Sequence, residues 1–323
     1  MSEFGYILEK IADASFEQTP FKHIEIRDLF SKPHFDQIVK APEINVMAES
    51  GPKLIEALLG RGFKLVNMPN CVLDAEEYIE WHKRKEKNSG ANRHGTCEGF
   101  GIVFRLVSPQ TPILGELLSF MQSDDFNNCI ASKFGIDLKD CSIDGGLQKY
   151  LDGYEISPHP DTQHKALTYM VNINNGPDSE MSNFHTHYLR FLPKWDYIPR
   201  FWDGNPEVLR CWVPWDWCKT NKQQTANNSI VIFSPASDTM HAVRADYDHL
   251  RVQRTQLYGN LWFNEVDLGR KPTWQQLVIR SDAAYEKQDP SVFQRIKGRF
   301  LRLGKSNTRE EDGNKTSTNM PSY

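Results

Sequence analysis

Apolar and polar positions divide the chain into two textures. In the first, up to about residue 97, helical spacing dominates. The exception is "HIEIRDLF", which alternates at period two as a strand does. Ser31 and Pro33 then suit a helix start for "SKPHFDQIVKA", and Asp74 followed by Glu76, Glu77, Lys83, Arg84 and Lys85 reads as a capped helix that complements its dipole. From Phe100 the texture changes to short β-rich runs: "FGIVFRLVS", "LQKYLDGYEIS", "KALTYMVNIN", "NSIVIFSP" and "RVQRTQLYGNLWFNEV". A helical interlude, "TPILGELLSFM" and "DFNNCIASKF", separates the first two. Strands following one another through turns over roughly 160 residues predict a jelly-roll-like double sheet, in an α+β chain.

The bulk properties narrow the function without naming it. With 323 residues, 39% hydrophobic and 25% charged, the chain predicts a folded globular protein. Its net charge of −4 predicts no general attraction to nucleic acid or to anionic membranes. No stretch approaches the length of a membrane span, and "MSEFGYILEKIADASF" lacks the basic start and apolar run of a secretory signal, so a cytoplasmic location is expected. The six cysteines show no zinc spacing and are expected to be reduced. The last residues, 303–323, are polar and are expected to be disordered.

Candidate chemistry begins at "YLDGYEISPHPDTQHKALTYMVNINN", where His159-Pro160-Asp161 sets an imidazole and a carboxylate two residues apart. The triplet is common by chance and occurs twice, the other being His34-Phe35-Asp36. On a helix, residues i and i+2 point about 200° apart, so His34 and Asp36 are expected to diverge. In strand-like surroundings they share a face, so His159 and Asp161 are expected to reach one ion. A centre of two histidines and one carboxylate needs a third ligand from a later strand, and His241 in "MHAVRAD" is the best candidate. Further on, period two sets Arg254, Gln256 and Tyr258 on one face, and an inward arginine calls for an anionic partner such as a dicarboxylate.

With these residues in order, the chain resembles the Fe(II)- and 2-oxoglutarate-dependent oxygenases, and within them the prolyl-hydroxylase-like branch. The likeness rests on "YLDGYEISPHPD", "ALTYMVNIN", "HAV" at His241 and "RTQLYGNLWF", and spans roughly residues 98 to 265, with a weaker echo in "PFKHIEIRDLF". It implies a double-stranded β-helix (jelly-roll) core with supporting N-terminal helices in one domain over 1–302. Residues 1–97 are then mostly helical support, 98–265 the core with an aromatic insertion at about 180–225, and 266–302 C-terminal helices. It also implies His159, Asp161 and His241 as ligands of Fe(II), Arg254 as the anchor of the distal carboxylate of 2-oxoglutarate, and Tyr150, Asn172 and Gln256 as further cosubstrate-pocket residues. The implied reaction consumes O2 and 2-oxoglutarate, releases succinate and CO2, and hydroxylates a small molecule or peptide: a metabolite, a sugar, an amino acid or a prolyl residue.

Several positions depart from that pattern. Relatives commonly have serine or threonine where Gln256 stands and often tyrosine at Asn172, and Arg251 is a rival to Arg254, which leads into the matching Gly259 and Trp262. The 80 residues from Asp161 to His241 exceed a compact jelly roll, and the surplus holds Trp195, Trp202, Trp212, Trp215 and Trp217, expected either as a substrate lid or as a satellite core or dimer surface. His185-Thr186-His187 lies there too, but Phe191 stands where a cupin-type site wants a glutamate. Retention of Asp161 argues against a halogenase, and "RVQRTQLYGN" does not reproduce the R-x-[NS]-x-T-x-R setting in which nucleic-acid demethylases carry a second arginine. The competing class is a non-catalytic jelly-roll module binding a sugar or peptide.

Overall fold

Side-chain caps start several of the helices. A computed structural model describes residues 2–66, 74–84 and 101–266. The expected C-terminal helices, beyond Val266, and the tail lie outside the described residues, as do Cys71 and Cys97. The helix α1 (Tyr6–Asp13) and the strand β1 (Ile24–Arg27) precede α2 (Lys32–Lys40), where Ser31 accepts the His34 N–H. Then come α3 (Gly51–Gly60), β2 (Phe63–Leu65) and α4 (Ala75–Lys83), where one carboxylate oxygen of Asp74 accepts the N–H groups of Glu76 and Glu77 at 2.7 and 3.0 Å. After β3 (Val103–Leu106) come α5 (Pro112–Met121) and α6 (Asp124–Lys133), the latter capped by Ser123.

The remaining elements are β4 (Cys141–Tyr150), β5 (Glu155–His159), β6 (Lys165–Asn172), β7 (Thr186–Phe191), α7 (Ile198–Gly204), β8 (Cys218–Gln223), β9 (Ser229–Phe233), β10 (His241–Arg244) and β11 (Arg254–Phe263). They form two sheets whose pairings are all antiparallel. One has seven strands in the order β1-β9-β6-β11-β4-β3-β2, the other four in the order β5-β10-β7-β8. The stretch expected as a loop-like aromatic insertion at about 180–225 is therefore corrected in part. It supplies β7 and β8, half of the smaller sheet: β7 pairs with β10 and β8, and β8 alternates half-buried with exposed positions as an edge strand does.

Period-two alternation gives the large sheet two chemically different faces. Leu147, Leu167, Tyr169, Val171, Ile230, Ile232, Leu257 and Leu261 pack into one cluster with Ile7, Leu114, Leu117 and Phe126 of the helices. The intervening positions, among them Gln148, Tyr150, Thr168, Asn172, Arg254, Gln256 and Asn260, are also buried but are polar or aromatic. Lys149 breaks the rule on the apolar side. Its ammonium is fully buried and donates to the Ile44 carbonyl at 2.8 Å and the Thr255 hydroxyl at 2.9 Å, and burial pushes its pKa well below the ordinary value.

Gly259 pairs with Tyr169, whose ring lies across the glycine and meets Phe126 edge-on at 5.4 Å. A Cβ at residue 259 would stand 2.2 Å from Tyr169 Cζ. Gly259→Ala is therefore expected to destabilise the fold by about 2 kcal/mol or more in urea denaturation. Gly115→Ala, inside α5 with nothing within 4 Å of the new methyl, is expected to stabilise by roughly 0.5–1 kcal/mol.

Candidate metal centre

The register between β5 and β10 sets His241 directly opposite His159, with ring centroids 4.3 Å apart. Asp161 joins them by a different route from the one its spacing suggested. His159 is the last residue of β5, Pro160 interrupts the strand, and Asp161 lies outside it at φ +26°. The shared face of a continuous strand is thus corrected: a turn into left-handed backbone, uncommon for a non-glycine residue, brings the carboxylate to the two rings. Its oxygens stand 3.7 Å from His159 Nε2 and 3.8 Å from His241 Nε2.

Each imidazole is held in one orientation by the carbonyl two residues before it. His159 Nδ1 donates to Ser157 O at 2.8 Å and His241 Nδ1 to Thr239 O at 3.0 Å. A carbonyl only accepts, so in the neutral ring the proton sits on Nδ1 and the Nε2 lone pair faces Asp161. Burial drives the His159 pKa down to about 3, reinforced by His241, and burial also lowers that of His241. Burial alone would raise the Asp161 carboxyl, but Lys165, His241 and His159 outweigh it and hold it below the usual carboxylate range. Two neutral nitrogens and one carboxylate oxygen, gathered with His159, Asp161 and His241 close together, are a donor set suited to a divalent ion.

Two residues that sequence reasoning missed brace the carboxylate. Lys165 donates to one Asp161 oxygen at 2.8 Å and the Thr168 hydroxyl to the other at 2.7 Å. Lys165 lies four residues after Asp161, a spacing that pairs side chains on a helix, but here a turn running into β6 brings the two together, which no periodic template shows. Thr168 shares the inner face of β6 with Asn172, which period two does show.

Arg254 opens β11 on the inner face at 3% exposure, while Arg251 is exposed outside the strand. The Arg254 guanidinium lies 4.5 Å over the Tyr150 ring, Nη2 donates to the Thr186 hydroxyl at 3.0 Å, and Nε is buried without a hydrogen-bond partner. Tyr150, Tyr154, Tyr247 and Tyr188 surround it, and no ion pair with a carboxylate forms among the described residues. Tyr150 itself lies 2.6 Å from the Gln148 amide. Asn172 and Gln256 bond to each other, Nε2 to Oδ1 at 2.9 Å, and the Asn172 amide also donates to Gln224 O at 2.8 Å. The pair thus staples β6 to β11 and to the segment before β9.

The other candidates separate as follows. His34 bonds Tyr6 at 3.0 Å and Asp36 pairs with Lys32, so that triplet does not converge. His185 meets Glu180 O and His187 meets Thr220, each held by its own partner. Of the five insertion tryptophans, Trp195 and Trp217 stack at 3.9 Å, and Trp202 packs with Leu189, Ile198, Val213, Met240 and Ala242 in a satellite core. The same segment is tied to the metal-site loop: Val213 N donates to Pro158 O at 2.7 Å, and Gln163 Nε2 to Val208 O at 2.8 Å.

No family model and no curated protein matches the chain. Among solved structures it is similar to a Pseudomonas putida prolyl-4-hydroxylase, at 9% identity over 80% of this chain and 98% of that one, TM-score 0.38. It is also similar to HygX from Streptomyces hygroscopicus with nickel, 2-oxoglutarate and hygromycin B bound, at 8% identity over 83% and 92%, TM-score 0.34. A third is an oxidoreductase of the 2OG-Fe(II) oxygenase family from Burkholderia pseudomallei, at 12% identity over 67% and 92%, TM-score 0.27. The chain resembles these oxygenases.

Two outcomes are expected from that geometry. Lys165 competes with a metal for Asp161, so Lys165→Met should tighten Co2+ or Mn2+ binding several-fold in calorimetric titration. The metal-free protein should also lose stability as pH falls from 6.5 toward 3. The unfolded chain protonates the His159 ring near 6.5, while the buried ring resists until about 3, so acid favours unfolding. A His159→Gln variant should show a shallower fall of Tm between pH 7 and 5.

Proposed function

We propose that this chain is an Fe(II)- and 2-oxoglutarate-dependent oxygenase that hydroxylates an unactivated C–H bond of a small metabolite, sugar, amino acid or prolyl residue. On this reading the two sheets are the walls of a double-stranded β-helix. The observation that carries the reading is Arg254: a buried guanidinium whose Nε is unpartnered and to which no carboxylate pairs among the described residues, on the inner face that also holds Thr168, which bonds Asp161. A buried charge of that kind costs several kcal/mol unless an anion meets it, and a dicarboxylate reaching from the metal to the arginine would do so.

The residues present fit both groups. His159 and His241 would offer their Nε2 lone pairs and Asp161 an oxygen to Fe(II), and Arg254 would hold the distal carboxylate of 2-oxoglutarate, with the Tyr150 ring against the guanidinium and Thr186 fixing one of its nitrogens. Bound there, Fe(II) with 2-oxoglutarate and O2 supplies the oxidising chemistry that turns C–H into C–OH and releases succinate and CO2. The chain's own contribution is placement. The Ser157 and Thr239 carbonyls fix the ring orientations, the Asn172–Gln256 pair ties β6 to β11, and the 206–213 segment is tethered to the residues flanking the ligands through Pro158 and Gln163.

One observation favours a second reading, a metal-free jelly-roll module for a sugar or peptide. The Lys165 ammonium already neutralises Asp161, as a cation would. Anaerobic Fe(II) titration separates the two. The oxygenase reading requires Fe(II) binding in the presence of 2-oxoglutarate that is lost in His159→Ala, and O2-dependent succinate release. Folded wild-type protein that binds no Fe(II) would sink it.

Succinate formation is expected to vanish in His159→Ala and Asp161→Ala, with folding checked by circular dichroism. In Arg254→Met the KM for 2-oxoglutarate should rise on the order of 10- to 100-fold, the worth of a charge-assisted hydrogen-bonded pair. Arg254→Lys should recover only part of it, because the planar fork is lost.

A further inference from the structure

A second cluster of histidine and carboxylate lies apart from the centre just described. His82 near the end of α4, Asp152 in the turn after β4, and His249 between β10 and β11 bring one ligand atom each to within 4.8 Å of one another. His82 Nε2 stands 3.0 Å from an Asp152 oxygen, and the two rings are 4.5 Å apart, centroid to centroid. Ligand atoms of a tetrahedral zinc ion stand roughly 3.3 Å apart, so small side-chain adjustments suffice.

The decisive atom is His249 Nε2. His249 is 1% exposed, and its Nε2 is buried with no hydrogen-bond partner among the described residues. A buried polar nitrogen left unpaired is costly and calls for an explanation. The opposite nitrogen has the outer support that metal-bound imidazoles need. Nδ1 lies 3.2 Å from the Tyr78 hydroxyl, whose own proton goes to Asp152 O at 2.9 Å, so the oxygen is free to accept from Nδ1–H. The Asp152 N–H, 3.3 Å from Nδ1, would give up a long hydrogen bond in that tautomer. The other Asp152 oxygen accepts the Tyr247 N–H at 3.0 Å, which orients the carboxylate. His82 is the outward ligand, its side chain 39% exposed, leaving a way in for the ion and a position for water.

We infer that His82, Asp152 and His249 form a binding site for Zn2+ or a similar divalent transition-metal ion, separate from the candidate iron centre. Nitrogen and carboxylate donors in a group of three, completed by water, match the preferences of such ions and not those of Ca2+ or Mg2+. The site has a structural output. Asp152 holds Tyr247, the Tyr247 hydroxyl bonds the Tyr150 carbonyl and accepts the Arg254 N–H at 3.0 Å, so an ion there fixes the connection that delivers Arg254.

The test uses the full chain carrying His159→Ala and His241→Ala, which removes the first centre, titrated with Zn2+ by calorimetry and with Co2+ by visible absorption. One equivalent of Zn2+, the intense spectrum of four-coordinate Co2+ and a rise in Tm are expected. Adding Asp152→Asn or His249→Asn should weaken binding by about 100-fold or more, and Tyr78→Phe by roughly tenfold. A folded double variant that binds neither ion would overturn the inference, leaving His82–Asp152 as a plain ion pair. If wild type takes up two equivalents, both centres stand. If wild type and double variant each bind a single equivalent, the second site stands and the iron centre fails.

Discussion

The pairing of β5 with β10 is the constraint on which the rest of the structure depends. It places His241 opposite His159, and the carbonyls of Ser157 and Thr239 then turn both rings the same way. A strand pairing is rigid at the scale of a hydrogen bond, whereas a loop is not, so two of three candidate ligands are fixed before any ion arrives. The third, Asp161, comes from a loop and is fixed differently, by Lys165 and Thr168. Order in the centre is thus built from backbone on one side and from charge on the other.

Buried charge is the second organising theme. Arg254, Lys149 and Asp161 all lie in the interior, and each is handled in its own way. Asp161 is paired, Lys149 is surrounded by oxygen acceptors, and Arg254 has aromatic rings, one hydroxyl and an orphan nitrogen. The incompletely matched member is the one whose chemistry points outward to a ligand, since a native interior rarely leaves a guanidinium so poorly served.

Much of this was legible in the sequence, for identifiable reasons. Period two in "RTQLYGNLWF" set Arg254 and Gln256 on one face, and the capping residues Ser31 and Asp74 marked their helices. What escaped was whatever depends on partners distant in the chain. Asp161 was expected on a strand, and backbone at positive φ after a proline is invisible to a periodicity argument. The hydrogen bond between Asn172 and Gln256 likewise depends on the register of two strands far apart in the chain. Within the stretch read as an aromatic insertion, β7 has no clean period-two pattern and β8 is almost wholly polar, so neither carries a hydrophobic strand signal. His82, Asp152 and His249, spread over 168 positions, carry no spacing signature at all.

The central strand β11 separates two worlds at every second residue, with Leu257, Gly259 and Leu261 against the helices and Arg254, Gln256 and Asn260 on the other side. Such a strand tolerates changes of letter far better than changes of length. A single residue gained or lost within it would push a guanidinium into the apolar layer and a leucine into the site, all at once. Over evolutionary time the segment should therefore accept substitution while rejecting insertion and deletion, which makes its length a firmer mark of descent than its composition.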